Sequence, residues 1–545
     1  MSLVVWRAVE CAVAACMVCH LVAWHWQLVA LVGAHGLAPA RDTAALLERK
    51  SARLGWSRAR MVLAHPSVFY HGLSCSDAVL GWCCSFGVAS GIALVVLAAA
   101  STSSASSSGV HEWLSIIACC LWFVVTTIAA SIAAVMGPFE RRTDRMMVAL
   151  GVLMSAVSLS VLVAPSLSWL ALLFVRCFAF RESLASAIHK WLDGGRWQDM
   201  SAAASLLTSQ ALPTTSSLVL ARSRVAQPLL KLMSLLLLVV DGPSVFLLLV
   251  PLAPQGRTAV FLLRLAFVAL ELACTGCGYR SLAVQAASLA ILLETSWPIV
   301  AFRSVTGHST ASAVASSWTA HEKHWAVSAM LAAAVLLATM QALVALVPLA
   351  LCFRGQVHVP ARLQSLWHLV GSYLAPEHSH ATVLFNKRLE LALEYTTAPL
   401  EAVAAADASV DWRAVQWRYK PLTCRAPHSV LGSWPRLDLA LTRLALDYRR
   451  TGSQFHIRPL WFERLMAALL GAHNERNAHV RALVMPIAGE PTAIRAVLYE
   501  IRPGQRSWWE QVELPPQQYY QLDVGSLKQK NKNKNKNKNK KNRKR

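Results

Sequence analysis

Charge is scarce in this sequence. Only 15% of its residues are Asp, Glu, Lys or Arg, against 55% hydrophobic. Soluble chains of this size run nearer a quarter charged, which excludes a fold solvated by water alone. Acids are scarcer than bases, 29 against 52, for a formal net charge of +23. The marks of catalysis are also missing: no Gly-x-Ser-x-Gly, no His-Glu-x-x-His, no Gly-rich phosphate loop and no paired-cysteine zinc site. With no nucleophile–base set and no metal set legible, an enzyme is not expected and no cofactor is implied. Cysteine nearly disappears after Cys352, leaving Cys424 alone, so the C-terminal region cannot close an internal disulfide. Cys274 and Cys277 form a Cys-x-x-Cys with no second pair, and His378 and His380 have no third ligand at useful spacing. His20 and His25, five apart, do not share a helix face.

What is abundant is apolar sequence in runs long enough to cross a bilayer core. The runs cover about 10–31, 78–100, 114–136, 146–163, 166–181, 229–250, 259–276, 281–301 and 326–352. The fourth and fifth flank Pro165 and are short enough to form one kinked unit, so the expected fold begins with about 8–9 transmembrane helices. Asp241-Gly242-Pro243 interrupts the sixth run, because Pro243 removes a helical hydrogen bond and the part before it is too short to span. Such a broken helix survives only where protein or water covers its freed backbone groups. Arg176, Asp241, Arg264, Glu271 and Glu294 fall inside apolar runs. Intramembrane charge is costly, so these residues either carry function or pair across the bundle and snorkel to its edges.

The boundaries expected are a polytopic membrane domain over 1–353, a soluble β-rich α+β domain over 354–525 and a Lys/Asn-rich tail over 526–545. In the middle region, 383–395 and 412–419 read as strands, and so do 493–501 and 508–514. Segments 434–448, 460–470 and 475–484 read as helices. The region is rich in Trp and Arg, the residues that dominate protein-recognition surfaces, though some of its Trp must be core. Lys528–Arg545 holds nine Lys and two Arg with no acid and should be disordered. It suits anionic lipid headgroups or simple solubilisation. Without an aromatic platform or binding motif, nucleic acid is not an expected partner.

Loop charge gives an orientation. Arg41, Arg49, Lys50, Arg53, Arg58 and Arg60 follow the first run, and Arg141, Arg142 and Arg145 follow the third. Ser101–Gly109 between them is uncharged. With nine spans, this pattern puts the C-terminal region in the cytoplasm.

The C-terminal motifs resemble the lipase maturation factor family. They are WRAVQWRYKP (412–421), CRAPHSVLGSWPRLDL (424–439), PLWFERLMAALL (459–470), IRAVLY (494–499) and Trp508–Trp509 ahead of Leu514-Pro515-Pro516. LVGAHGLAPA (31–40), GGRWQDM (194–200) and QALPT (210–214) match more loosely. Leu-Ala-Leu after Asp438, and Met485-Pro486-Ile487 before the Ile-Arg strand, depart from the family pattern. The resemblance implies a non-enzymatic, chaperone-like factor of the endoplasmic reticulum membrane. Such a factor serves the folding, assembly and export of secreted lipases. Its partners would be lipase clients and membrane lipids, met by a C-terminal region lying in the lumen. That placement opposes the charge count, and a different division of 146–181 would reconcile the two. Client contacts implied are Trp412, Trp417, Tyr419, Arg436, Asp438, Trp461, Arg495, Tyr499, Trp508 and Trp509. The alternative reading is a membrane-embedded enzyme or transporter using the polar bundle interior, since the helical half loosely resembles the vitamin-K-dependent carboxylases.

Overall fold

The computed structural model describes residues 3–288 and 388–523 apart from short internal stretches, the longest of them 418–435. The run at 326–352, Glu294, His378, His380 and the tail lie outside the described residues.

Helix α1 (Leu3–His25) begins earlier than the apolar run, because two charges that would have stopped it cancel. Arg7 Nη1 and Glu10 Oε2 lie 2.5 Å apart, both buried. Ser158 Oγ donates to the same carboxylate at 3.3 Å. The run also ends differently from its reading as one span. The helix turns at Trp26–Gln27, and a second short helix, α2 (Leu28–Val32), stops at Gly33. A Cβ at Gly33 would lie 2.4 Å from the Val29 carbonyl and 2.6 Å from Asp77 Oδ1. Only glycine fits there, and Asp77 accepts from the next N–H, that of Ala34, at 2.6 Å.

After α3 (Ala40–Arg53), helices α4 (Asp77–Ser103), α5 (Ser108–Met136) and α6 (Arg142–Val163) run up and down beside α1. Close approach of α1 and α4 depends on small residues, as is common between membrane helices. A Cβ on Gly91 would sit 2.6 Å from a Val18 methyl, and one on Gly87 3.2 Å from a Leu21 methyl. The outward faces carry large apolar side chains, Trp82 and Phe86 on α4 and Trp113 on α5. Among the described residues four stretches are long and apolar enough to cross a membrane: Trp6–His25, Asp77–Ala100, Trp113–Phe139 and Gln227–Phe246. The N-terminal half is a helical membrane region.

The next helices are α7 (Ser168–Leu192), α8 (Ala202–Ser209), α9 (Gln227–Asp241), α10 (Pro243–Phe246), α11 (Pro254–Thr275) and α12 (Tyr279–Ser288). The expected break is present between α9 and α10. A satellite core joins Trp197, from the Gly-Gly-Arg-Trp-Gln-Asp-Met segment, to Leu207 of α8, Leu230 and Val240 of α9 and Phe267 of α11.

The C-terminal region holds a four-stranded antiparallel sheet in the order β2-β1-β3-β4. Its strands are β1 (Arg388–Thr396), β2 (Arg413–Ala414), β3 (Ala493–Pro503) and β4 (Trp509–Asp523). Alternation in β1 explains its pleat: Leu389, Leu391, Leu393 and Tyr395 alternate with Glu390 and Glu394. The ladder between β3 and β4 jumps from Val497↔Gln518 to Tyr499↔Glu513. The residues passed over include Pro515 and Pro516, which have no N–H to pair. Over 412–417, the described part of the strand expected at 412–419, pairing is confined to Arg413–Ala414 and a bridge from Trp417 to Val484. Of the helix expected over 475–484, Ala478–Arg481 is helical and ends before 482, while 475–477 lie outside the described residues. Two longer helices, α13 (Arg436–Thr451) and α14 (Leu460–Leu470), complete the region.

The apolar face of the sheet, the inner faces of α13 and α14, and the ends of α1, α5 and α6 belong to one continuous core. The C-terminal region therefore sits on the end of the bundle that carries the α1–α4 and α5–α6 connections.

Candidate functional site

Two places gather the residues singled out by the sequence: the helix break inside the bundle and the sheet with its neighbouring helices.

Ending α9 in mid-bundle strands its last carbonyls, and the partial negative charge of a helix C-terminus collects there. Arg264, on α11, donates from Nη1 to the Val240 carbonyl at 3.1 Å and from Nη2 to Ser183 Oγ at 2.6 Å. Ser244 Oγ donates to the same Val240 carbonyl at 2.6 Å. Lys190 reaches the Leu237 carbonyl at 3.4 Å, with its ammonium over the Trp197 ring at 5.1 Å. Gly242 allows the close turn, since a Cβ there would lie 2.6 Å from the Leu238 carbonyl. In transporters built on broken helices, such C-terminal ends hold the coupling cation. Here the end is occupied by two cationic side chains of the chain itself. Arg176 is buried in α7. The side chains of Asp241 and Glu271 lie outside the described residues, as does Glu294 altogether. Glu271 follows Arg264 by two helical turns, roughly 10 Å along the axis, too far for a direct pair.

On the sheet, Glu394 accepts from Arg495 Nε at 2.8 Å and from Tyr499 Oη at 2.6 Å. The Arg495 guanidinium lies 4.3 Å from the centre of the Trp412 ring. All three partners of this cluster are half-buried and reach the surface. Strand register explains the meeting: Glu394 pairs with Arg495, and Tyr499, four residues along β3, lies on the same face.

The remaining expected contacts fall elsewhere. Trp417, Trp461, Arg436 and Asp438 are buried within the chain. Tyr419 and Trp508 lie outside the described residues, and Trp509 opens β4 opposite Pro503. Arg436 forms a bidentate pair with Asp144, at 2.6 and 2.7 Å. Asp144 precedes the apolar run that starts at Met146. Burial opposes its ionised form, but the Arg436 guanidinium and His20 outweigh this and hold the carboxyl well below its usual range. Sequence reasoning passed over Asp144 and considered His20 only alongside His25. Their significance depends on a partner almost 300 residues away, and only a charged residue just outside an apolar run hinted at it.

No group of His, Cys, Asp and Glu able to hold a metal ion occurs among the described residues. No curated protein and no solved structure matches the chain. The family described as lipase maturation factor transmembrane domain matches residues 5–296, more than half of the chain. That match covers the bundle, the broken helix and its arginine cap, whereas the resemblance read from the sequence was densest beyond residue 410. The two are independent and agree: the chain belongs to the lipase maturation factor family.

Proposed function

We propose that the chain is a chaperone-like factor of the endoplasmic reticulum membrane that assists the folding, assembly and export of secreted lipases. The observation that carries this reading is the family match over the membrane half, whose name describes lipase maturation. The sheet supplies a surface suited to a protein client: Trp412 and Tyr499 offer aromatic area, and Arg495 is held ready by Glu394. We assign client contact to these three residues. The competing reading, a transporter or enzyme using the bundle interior, is disfavoured by the helix break, whose one electronegative end is filled by Arg264 and Lys190.

Restoration of lipase secretion in cells lacking their own maturation factor tests the function. The wild-type chain should restore it, and Trp412→Ala combined with Arg495→Ala should lose most of that effect at equal protein level. Failure of the wild-type chain to restore secretion of any lipase would remove the reading. Compartment is tested separately. Gly55→Asn and Asp407→Asn create Asn-x-Ser acceptors in the α1–α4 connection and the C-terminal region, and Ser104→Asn creates one in the opposite loop. A lumenal client surface requires glycans on the first two and none on the third. The reverse pattern would follow the loop charges, put the sheet in the cytosol and end the client reading.

A further inference from the structure

The first turn of an α-helix leaves backbone N–H groups without partners, and they are normally capped by a neighbour in sequence. At the start of α13 the Arg436 N–H instead donates to Gln27 Oε1 at 2.8 Å, a residue 409 positions away. Gln27 sits in the turn that closes α1 and is itself anchored, donating from Nε2 to the Ala23 carbonyl at 3.2 Å.

The Arg436 side chain enters the same place. Both its terminal nitrogens bond Asp144, and Nη1 also donates to the Phe139 carbonyl at 3.2 Å. Its guanidinium lies 5.3 Å from the Trp24 ring centre. His20 Nε2 is 3.1 Å from Asp144 Oδ1, and its ring packs on Trp24 at 4.6 Å. The end of α1, the α5–α6 turn and the first turn of α6 thus converge on one residue of the C-terminal region. Around this centre the contacts are looser: Trp461 against Phe139 at 5.4 Å, Arg464 on Asp42 at 2.9 Å, and Arg443 to the Glu140 carbonyl at 3.4 Å.

We propose that Arg436 is a docking key. It enters a receptor built by Trp24, Gln27, Phe139 and Asp144 of the bundle, and so fixes where the sheet sits against the membrane region. It is a positioning residue that touches no client. A bidentate guanidinium–carboxylate pair has little angular freedom. A carboxylate left buried without its partner is strongly unfavourable, so misplaced seatings are rejected. Trp461 and Arg464 add area around the key without setting register. This role is independent of which client, if any, the sheet binds.

Hydrogen–deuterium exchange on the full-length protein in lipid nanodiscs tests the proposal. Arg436→Met and Asp144→Leu should each speed exchange at least tenfold in 436–442 and 27–32, while strands 389–395 and 494–498 keep wild-type protection. The double variant, with an apolar pair in place of the ion pair, should return both junction segments to within threefold of wild type. Arg436→Lys should not, because a single ammonium cannot span both carboxylate oxygens and the Phe139 carbonyl. Single variants with an undisturbed junction would overturn the key, as would a double variant no better protected than the singles. Loss of sheet protection in step with the junction would also overturn it, since it would show a shared fold and not a docked unit.

Discussion

Arg264 and Arg436 are both buried guanidiniums, yet they answer to different partners. Arg264 donates to a carbonyl stranded when α9 stops inside the bundle and to a serine hydroxyl. Arg436 serves a formal charge, Asp144, across the boundary between bundle and sheet. The first arginine repairs a local backbone defect. The second joins two regions, and its removal leaves behind a buried anion.

The largest effect should therefore come from Arg436→Met. Losing one partner of a buried pair costs about 3–5 kcal/mol, and replacing both with apolar groups costs far less. A fall in the apparent melting temperature of the detergent-solubilised protein, recovered by adding Asp144→Leu, is the expected outcome. Equal falls in the single and double variants would erase the distinction between the two arginines.

Acid should unmake the same junction. The carboxyl of Asp144 is depressed below its ordinary value of 3.8 in the folded chain. The stability this confers is complete above that ordinary value and is lost as the pH falls below it toward the depressed one. Melting temperature followed from pH 6 to 3 should be flat from this group down to about 4 and then drop, and Asp144→Leu with Arg436→Met should remove that component. A drop of equal size in the double variant would assign it to other carboxylates.

Arg264→Met should cost less, roughly 1–3 kcal/mol, the usual range for leaving a buried polar group unsatisfied. Asp144→Leu should not rescue it, which separates it from Arg436 most sharply. The smallest effect is expected at the sheet surface. Glu394→Gln removes an ion pair whose Arg495 side chain is 30% exposed, and such pairs contribute at most about 1 kcal/mol. Its consequence should appear in lipase secretion and hardly in melting temperature, because the change loosens Arg495 without opening a core.

How far the sequence was legible follows the same division between local and distant causes. The α4 and α5 spans, the break at Gly242-Pro243, the Leu460–Leu470 helix and the alternating strand at 389–395 all depend on residues adjacent in the chain, and each lies close to its expected place. The start of α1 was missed by several residues because Arg7 and Glu10 look like a stop until they are seen paired. The strand over 412–419 is broken within its described part, 412–417, since only Arg413–Ala414 run along β1 and Trp417 bridges instead to Val484. Among the expected client contacts, composition marked Trp and Arg as special but not which way they face. Trp412 and Arg495 reach the surface, while Trp461 and Arg436 turn inward.

The sequence by itself determined the membrane character of the N-terminal half, the family and the location of the broken helix. These follow from apolar run length, motif order and the chemistry of proline, all of which are properties of short stretches. Tertiary structure alone decided what the charged residues do. The energy of a buried arginine is set by the groups around it, and those groups include ones 24 and 81 residues away for Arg264, and 292 and 297 for Arg436.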